Sequence, residues 1–167
     1  MKVFLVRHAD ADADIPEGLG DDARALTSKA RLAIAEHFAG LVTRLLPVDA
    51  VFTSPLVRSV QTAQLMATAL GFEGVLRADR SLLPDMPVGA IDGLIQERAG
   101  ESIVLVGHQP SMGAMASHLL GLQTFPKPVH PGTVIGLEHL DGAAADAQPA
   151  AKLLFYAPPG QPVLESV

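Results

Sequence analysis

Short apolar runs alternate with segments of helical periodicity along most of this chain, and this alternation restricts the fold more than any other feature. Strands are predicted at 2–6, 50–53, 75–77 and 103–108, with a later pair at 133–140 and 152–157. Helices are predicted from the N-cap Thr27 to Pro47, from the N-cap Ser54 and first-turn Pro55 to Gly71, from Val88 to Arg98, and over 109–121. This order predicts an α/β fold of three layers, in which helices flank a mostly parallel sheet with an antiparallel pair at one edge.

Length and composition indicate one domain with a sizeable core. The chain has 167 residues, of which 49% are hydrophobic, and its mean hydropathy is +0.31. We expect residues 1–157 to form a single domain and the proline-rich residues 158–167 to form a frayed C-terminal tail. The stretch 141–150, DGAAADAQPA, is predicted to be an exposed loop.

Charge and residue usage exclude several classes of function. The formal net charge is −6 and no run of Lys or Arg occurs, so nucleic acid is not an expected partner. No apolar run is long enough to span a membrane, and the start MKVFLVRH does not resemble a secretory signal, so a cytoplasmic location is expected. Because the chain has no cysteine, it cannot use thiolate catalysis, disulfides or thiolate metal ligands.

Side chains that bind anions follow three of the predicted strands. Arg7 and His8 end the first strand, Ser54 and then Arg58 follow the second, and His108 ends the strand at 103–108. In open α/β sheets, ligands bind beyond the carboxyl ends of the strands. We therefore expect these side chains to gather in one site.

This set of residue types suits phosphoryl transfer. Two arginines can hold the oxygens of a phosphoryl group through paired N–H donors, and helix starts at Ser54-Pro55 and Pro110 would add backbone N–H groups. An uncharged imidazole can attack phosphorus and carry it as a phosphoramidate. Nearby cations are expected to lower the pKa of that imidazole and keep it uncharged near neutral pH.

Four motifs make the chain resemble a known family. They are VRHADA (6–11), LTSKAR (26–31), SPLVRSVQTA (54–63) and VGHQPSM (106–112). On these residues the chain resembles the histidine phosphatases of the phosphoglycerate mutase-like superfamily, specifically the short phosphohistidine phosphatases. The resemblance implies the fold of that superfamily and a reaction that needs no metal or other cofactor.

The resemblance also implies roles for individual residues. His8 would be the phosphorylated nucleophile, Arg7, Arg58 and His108 would form the phosphate pocket, and Ser54 would support it. Larger members of the superfamily carry a helical insertion and a glutamate that acts as general acid, whereas Arg58 and His108 here are only 50 positions apart. The stretch LLPDMP contains no glutamate, and Asp85 is the candidate proton donor in its place.

A missing general acid bears on the substrate. An alkoxide leaving group needs a proton donor, whereas the imidazole of phosphohistidine is much easier to expel. We therefore expect a phosphatase that acts on phosphohistidine in proteins. The short connection between Arg58 and His108 leaves little room for a lid, so an open pocket is expected. The alternative is a phosphomonoesterase for a small metabolite, and an inactive phosphate-binding module is a third hypothesis.

The remaining aspartates and histidines have simpler interpretations. Asp10, Asp12 and Asp14 alternate like calcium ligands, but the Gly and Glu that an EF-hand loop needs are absent, so a solvated loop is the better interpretation. Asp10 or Asp12 could still orient the pocket or the substrate. His130 could enter the pocket or cap a turn. The other three histidines lie inside predicted helices or strands and are expected to be structural or exposed: His37, His118 and His139.

Overall fold

The structure, a computed structural model, describes residues 1–140 and 147–167. The strands are β1 (Lys2–Arg7), β2 (Ala50–Thr53), β3 (Leu76–Ala78), β4 (Ser102–Gly107), β5 (Val134–His139) and β6 (Ala151–Ala157). The helices are α1 (Ser28–Leu45), α2 (Val57–Leu70), α3 (Val88–Glu97) and α4 (Ser111–Leu120), and short 3-10 helices occupy Asp21–Ala23 and Arg80–Leu82. The first part of the predicted 141–150 loop, residues 141–146, lies outside the described residues.

All the described strands form one mixed sheet in the order β3-β2-β4-β1-β5-β6. β1, β2, β3 and β4 run parallel, while β5 is antiparallel to both β1 and β6. This confirms the predicted parallel sheet with a late antiparallel pair at one edge. The carboxyl ends of β1, β2 and β4 therefore lie side by side.

The alternation of side chains along β1 places one helical layer on each face of the sheet. Val3 and Leu5 join a buried cluster with apolar residues of α3 and α4. Phe4 and Val6 point to the other face and join a cluster with α1 and α2. Among the described helices, none is long and apolar enough to cross a bilayer.

Helix ends follow the sequence signals with one exception. Thr27 caps α1, since its side chain accepts a hydrogen bond from the backbone N–H of Ala30 at 3.0 Å. The prediction that Ser54 is the N-cap of α2 is wrong, because the N-cap is Leu56. The backbone N–H of Ser54 is still paired with Val106 of β4 at 2.9 Å, so the chain leaves the sheet too late to start the helix there.

The C-terminal tail differs from its prediction as well. It is non-helical as expected, but it is not frayed, because Leu164 pairs with Tyr156 of β6 through two backbone hydrogen bonds of 2.7 and 2.9 Å. Glu165 also accepts a hydrogen bond from Arg44 of α1 at 3.0 Å. The tail thus folds back along the outer edge of the sheet.

Candidate active site

The ends of β1 and β4 bring the two predicted histidines together. The backbone N–H of His8 donates to Gly107 at 3.0 Å, which fixes the end of β1 beside the end of β4. His108 follows Gly107 directly, and the centroids of the two imidazole rings are 5.1 Å apart. The sequence prediction that strand ends gather these residues is therefore confirmed for this pair.

Backbone contacts determine which ring nitrogen of His8 is free. Nδ1 of His8 lies 2.7 Å from the carbonyl oxygen of Ala9. A carbonyl only accepts hydrogen bonds, so Nδ1 carries the proton and Nε2 keeps its lone pair. The backbone N–H of Ala9 in turn donates to Thr62 Oγ1 at 3.0 Å, and the Thr62 hydroxyl donates to the carbonyl of Arg58 at 2.7 Å. This chain of bonds connects the orientation of His8 to helix α2.

The imidazole of His8 is uncharged near neutral pH. Burial lowers its pKa to about 4, and the positive charges of Arg58, Arg7 and Arg24 add to this effect, while the hydrogen bond to Ala9 opposes it. The sequence prediction gave the direction correctly, but it assigned the main cause to the cations. Burial is the larger cause.

His108 is the more deeply buried of the two histidines, with 3% of its surface exposed. Its Nε2 lies 2.8 Å from Ser54 Oγ, and the hydroxyl of Ser59 is 3.4 Å away on the same side. Burial, followed by the nearby His8 and Arg58, lowers the pKa of His108 to about 3. The predicted supporting residue Ser54 thus contacts the site through His108.

The guanidinium of Arg58 is held at the start of α2. Its side chain is only 6% exposed and forms an ion pair with Asp21, with 3.2 Å between Nη2 and Oδ2. Its Nη1 donates to the backbone carbonyl of Asp21 at 3.0 Å.

The other predicted arginine, Arg7, donates from Nη1 to the carbonyl of Val129 at 2.8 Å. The Nε atoms of Arg7 and Arg58 are both buried without a hydrogen-bond partner among the described residues.

Sequence reasoning missed a third arginine. The charge of Arg24 contributes to the lowered pKa of His8, and its Nε donates to Asp21 Oδ1 at 2.7 Å. Arg24 stands two positions before the LTSKAR motif at 26–31, which was the available signal. The backbone of Leu26 donates to Gln61 Oε1 of α2 at 2.8 Å, and this contact brings the loop back to the site.

The loop aspartates behave as a solvated segment. Asp10, Asp12 and Asp14 are all exposed, and Asp12 Oδ1 accepts from the backbone N–H of Asp14 at 3.1 Å. The carbonyl of Asp12 also accepts from Arg24 Nη1 at 3.1 Å. Within the described residues, no group of three or more His, Cys, Asp or Glu is placed to hold a metal ion.

Among the described residues, none of the other candidate side chains forms a hydrogen bond to this cluster. Asp85 is exposed in a turn with a φ of 65°, and within the described part of the chain it forms no hydrogen bond to the residues above. His130 is exposed, and its carbonyl accepts from Thr133 in a turn at 3.0 Å. His37 Nε2 donates to the carbonyl of Ala157 at 3.1 Å, as expected of a structural histidine.

Comparison with known proteins identifies the family. The family model of the histidine phosphatase superfamily (branch 1) matches residues 3–82, which include Arg7, His8 and Arg58. An uncharacterized protein of Picosynechococcus sp. is 33% identical over 133 residues, which cover 74% of this chain and 76% of that protein. The chain belongs to the histidine phosphatase superfamily.

Relatives of known name agree with this family. Phosphohistidine phosphatase SixA of Escherichia coli is 27% identical over 133 residues, which cover 75% of this chain and 78% of that protein. The solved structure of the protein histidine phosphatase SixA complexed with tungstate has a TM-score of 0.79 at 22% identity, covering 94% of this chain and 96% of that one. A mycobacterial glucosyl-3-phosphoglycerate phosphatase complexed with VO3 has a TM-score of 0.66 at 17% identity, covering 91% and 96% of the two chains. The predicted phosphoglycerate mutase-like fold is confirmed.

The segment that connects Arg58 to His108 is short and consists of elements of the basic fold. Residues 58–108 form most of α2, then β3, a 3-10 helix, α3 and β4, and these elements belong to the sheet or its two helical layers. This described segment contains no additional helical layer. The sequence expectation that this short connection leaves little room for a lid agrees with this arrangement.

Proposed function

We propose that this hydrolase of the histidine phosphatase superfamily removes phosphate from phosphohistidine in proteins, through a phosphoenzyme formed on His8. The main observation behind this proposal is the protonation of the His8 imidazole. Its Nδ1 proton is bound to the Ala9 carbonyl at 2.7 Å, and its pKa is lowered to about 4. Nε2 is therefore an unprotonated nucleophile, next to the buried Arg58 and His108.

The reaction follows from this arrangement in two steps. The lone pair of His8 Nε2 attacks phosphorus, the new P–N bond forms, and the bond from phosphorus to the substrate imidazole breaks with its electron pair going to the leaving nitrogen. Water then attacks phosphorus, the P–N bond to His8 breaks, and inorganic phosphate leaves. Arg7 and Arg58 stabilise the phosphoryl oxygens in both steps, and His108, which is uncharged, offers one ring N–H to them.

Two features favour a phosphohistidine substrate. Asp85, the candidate proton donor, is exposed and forms no hydrogen bond to the described residues of the cluster, so these contacts do not hold it in place as a general acid for an alkoxide leaving group. A leaving imidazole has much less need of such an acid. The names of the SixA relatives support the same substrate class.

The first test compares turnover of a phosphohistidine protein with turnover of a panel of phosphomonoesters, in buffer without added metal. We expect the enzyme to turn over the phosphohistidine protein faster than the phosphomonoesters. His8→Ala should abolish turnover and the acid-labile phosphoenzyme, while His118→Ala, at an exposed position on α4, serves as the matched control. Undiminished turnover by His8→Ala would overturn the mechanism.

A small phosphate ester is the second candidate substrate, because the chain shares its fold with a glucosyl-3-phosphoglycerate phosphatase. Asp85→Asn distinguishes the two. For phosphohistidine hydrolysis this variant should change kcat by less than about threefold, whereas a general acid contributes about 10²–10⁴-fold to ester hydrolysis. Phosphate binding without turnover of either class would instead indicate a phosphate-binding module.

A further inference from the structure

The carboxylate of Asp21 lies between two arginines of the site. Its Oδ1 accepts from Arg24 Nε at 2.7 Å, and its Oδ2 accepts from Arg58 Nη2 at 3.2 Å. One anionic side chain thus uses each of its oxygens to bind a different guanidinium. A phosphoryl group would bind such a pair of arginines in the same way.

The two partners in the Asp21–Arg58 contact are held very differently. The side chain of Arg58 is 6% exposed and starts from α2, which packs in the core, whereas the side chain of Asp21 is 59% exposed. The short 3-10 helix Asp21–Ala23 that carries Asp21 contains no buried residue. Burial keeps Arg58 in place, and little packing holds Asp21 on it. An arriving anion can therefore displace the carboxylate while the arginine stays.

We propose that Asp21 is an internal competitor for the phosphoryl group. In the free enzyme it binds Arg58 and Arg24; it leaves them when the substrate phosphoryl group binds, and it returns as phosphate departs. The inference rests on the proposed function, since it assumes that the same arginines bind phosphate. Its consequence is a lower affinity for inorganic phosphate, the product, and therefore faster release of that product.

Asp21→Asn tests this competition, because asparagine keeps the size and the backbone carbonyl contact but loses the charge. Inorganic phosphate is the probe, and its Kd is measured by calorimetry and as a competitive inhibition constant. We expect the Kd to fall about two- to fivefold, the range for loss of an exposed ion pair that must be broken on binding. Because product leaves more slowly, KM and kcat should fall together. Asp21→Ala should change the Kd in the same direction.

Asp22→Asn is the matched control, since it changes the net charge equally one position away. In the described residues Asp22 pairs with no arginine, so its substitution should leave the phosphate Kd within about twofold. Weaker phosphate binding by Asp21→Asn would overturn the inference and make Asp21 a residue that orients the arginines. An equal fall of the phosphate Kd in Asp21→Asn and Asp22→Asn would overturn it too, because the change in net charge would then explain the effect. A wild-type protein that binds no phosphate would count against the proposed function itself.

Discussion

Acidification from pH 8 to pH 5 is expected to lower the free energy of unfolding by about 4 kcal/mol through two imidazoles alone. In the folded protein the pKa values of His8 and His108 are lowered from 6.5 to about 4 and about 3. Both rings stay uncharged at pH 5 when folded but take up protons below pH 6.5 when unfolded. Their stabilising effect is thus present above pH 6.5 and lost as the pH falls. Over 1.5 pH units each ring contributes about 2 kcal/mol at 1.4 kcal/mol per unit.

Urea denaturation at pH 8, 7, 6 and 5 measures this loss directly. His8→Gln removes one of the two titrating rings, so the loss between pH 8 and pH 5 should shrink by about 2 kcal/mol. His118→Gln removes an exposed imidazole outside the site and is the matched control. The pKa of His37 is also lowered by burial, so it adds to the wild-type loss in the same direction and is unaffected by either substitution. A free energy of unfolding that stays constant from pH 8 to pH 5 would refute the reasoning.

Three further substitutions test local interactions at the site, in the sheet and in α1. Ser54→Ala leaves the buried Nε2 of His108 without its 2.8 Å partner, and we expect a loss of about 1–3 kcal/mol in urea denaturation together with reduced turnover. Gly136→Ala would place a Cβ 2.5 Å from the ring of Phe155 and should destabilise the protein by about 1–3 kcal/mol. Gly40→Ala, in α1 with open space around it, should instead stabilise the protein by up to about 1 kcal/mol. Similar unfolding midpoints for the two glycine variants would contradict this account.

The sequence predicted those parts of the site that depend on regular structure. The strands that end at Arg7, His8 and His108 are short apolar runs, and in parallel strands such runs bring their carboxyl ends to one edge of the sheet. The pairing of His8 N–H with Gly107 follows from this register. Apolar runs and the parallel-sheet rule were therefore sufficient to predict that both histidines lie at one edge of the sheet, whereas the adjacency of β1 and β4 is known from the structure.

The loop over 10–26 carries no such periodicity, and its contribution to the site could not be predicted. Its position depends on tertiary hydrogen bonds, from Asp12 N–H to Ala25 at 2.8 Å and from Leu26 N–H to Gln61 at 2.8 Å. These contacts place Arg24 near His8, but neither has a local sequence signal. The N-cap prediction at Ser54 was wrong for a related reason, since Ser-Pro is typical of helix starts and the competing bond to Val106 comes from a strand distant in sequence.

The folded-back tail has a consequence for how copies of this protein behave in solution. β6 is the outermost strand on its side of the sheet, and an unpaired strand edge is a template for pairing with another chain. Leu164 already binds both the N–H and the carbonyl of Tyr156, so that stretch of the edge has no free backbone groups to offer a neighbour. The prolines at 158, 159 and 162 cannot donate backbone hydrogen bonds and so prevent the tail from becoming a new edge strand. The C-terminal residues thus block edge-to-edge pairing at Tyr156, on the β6 side of the sheet.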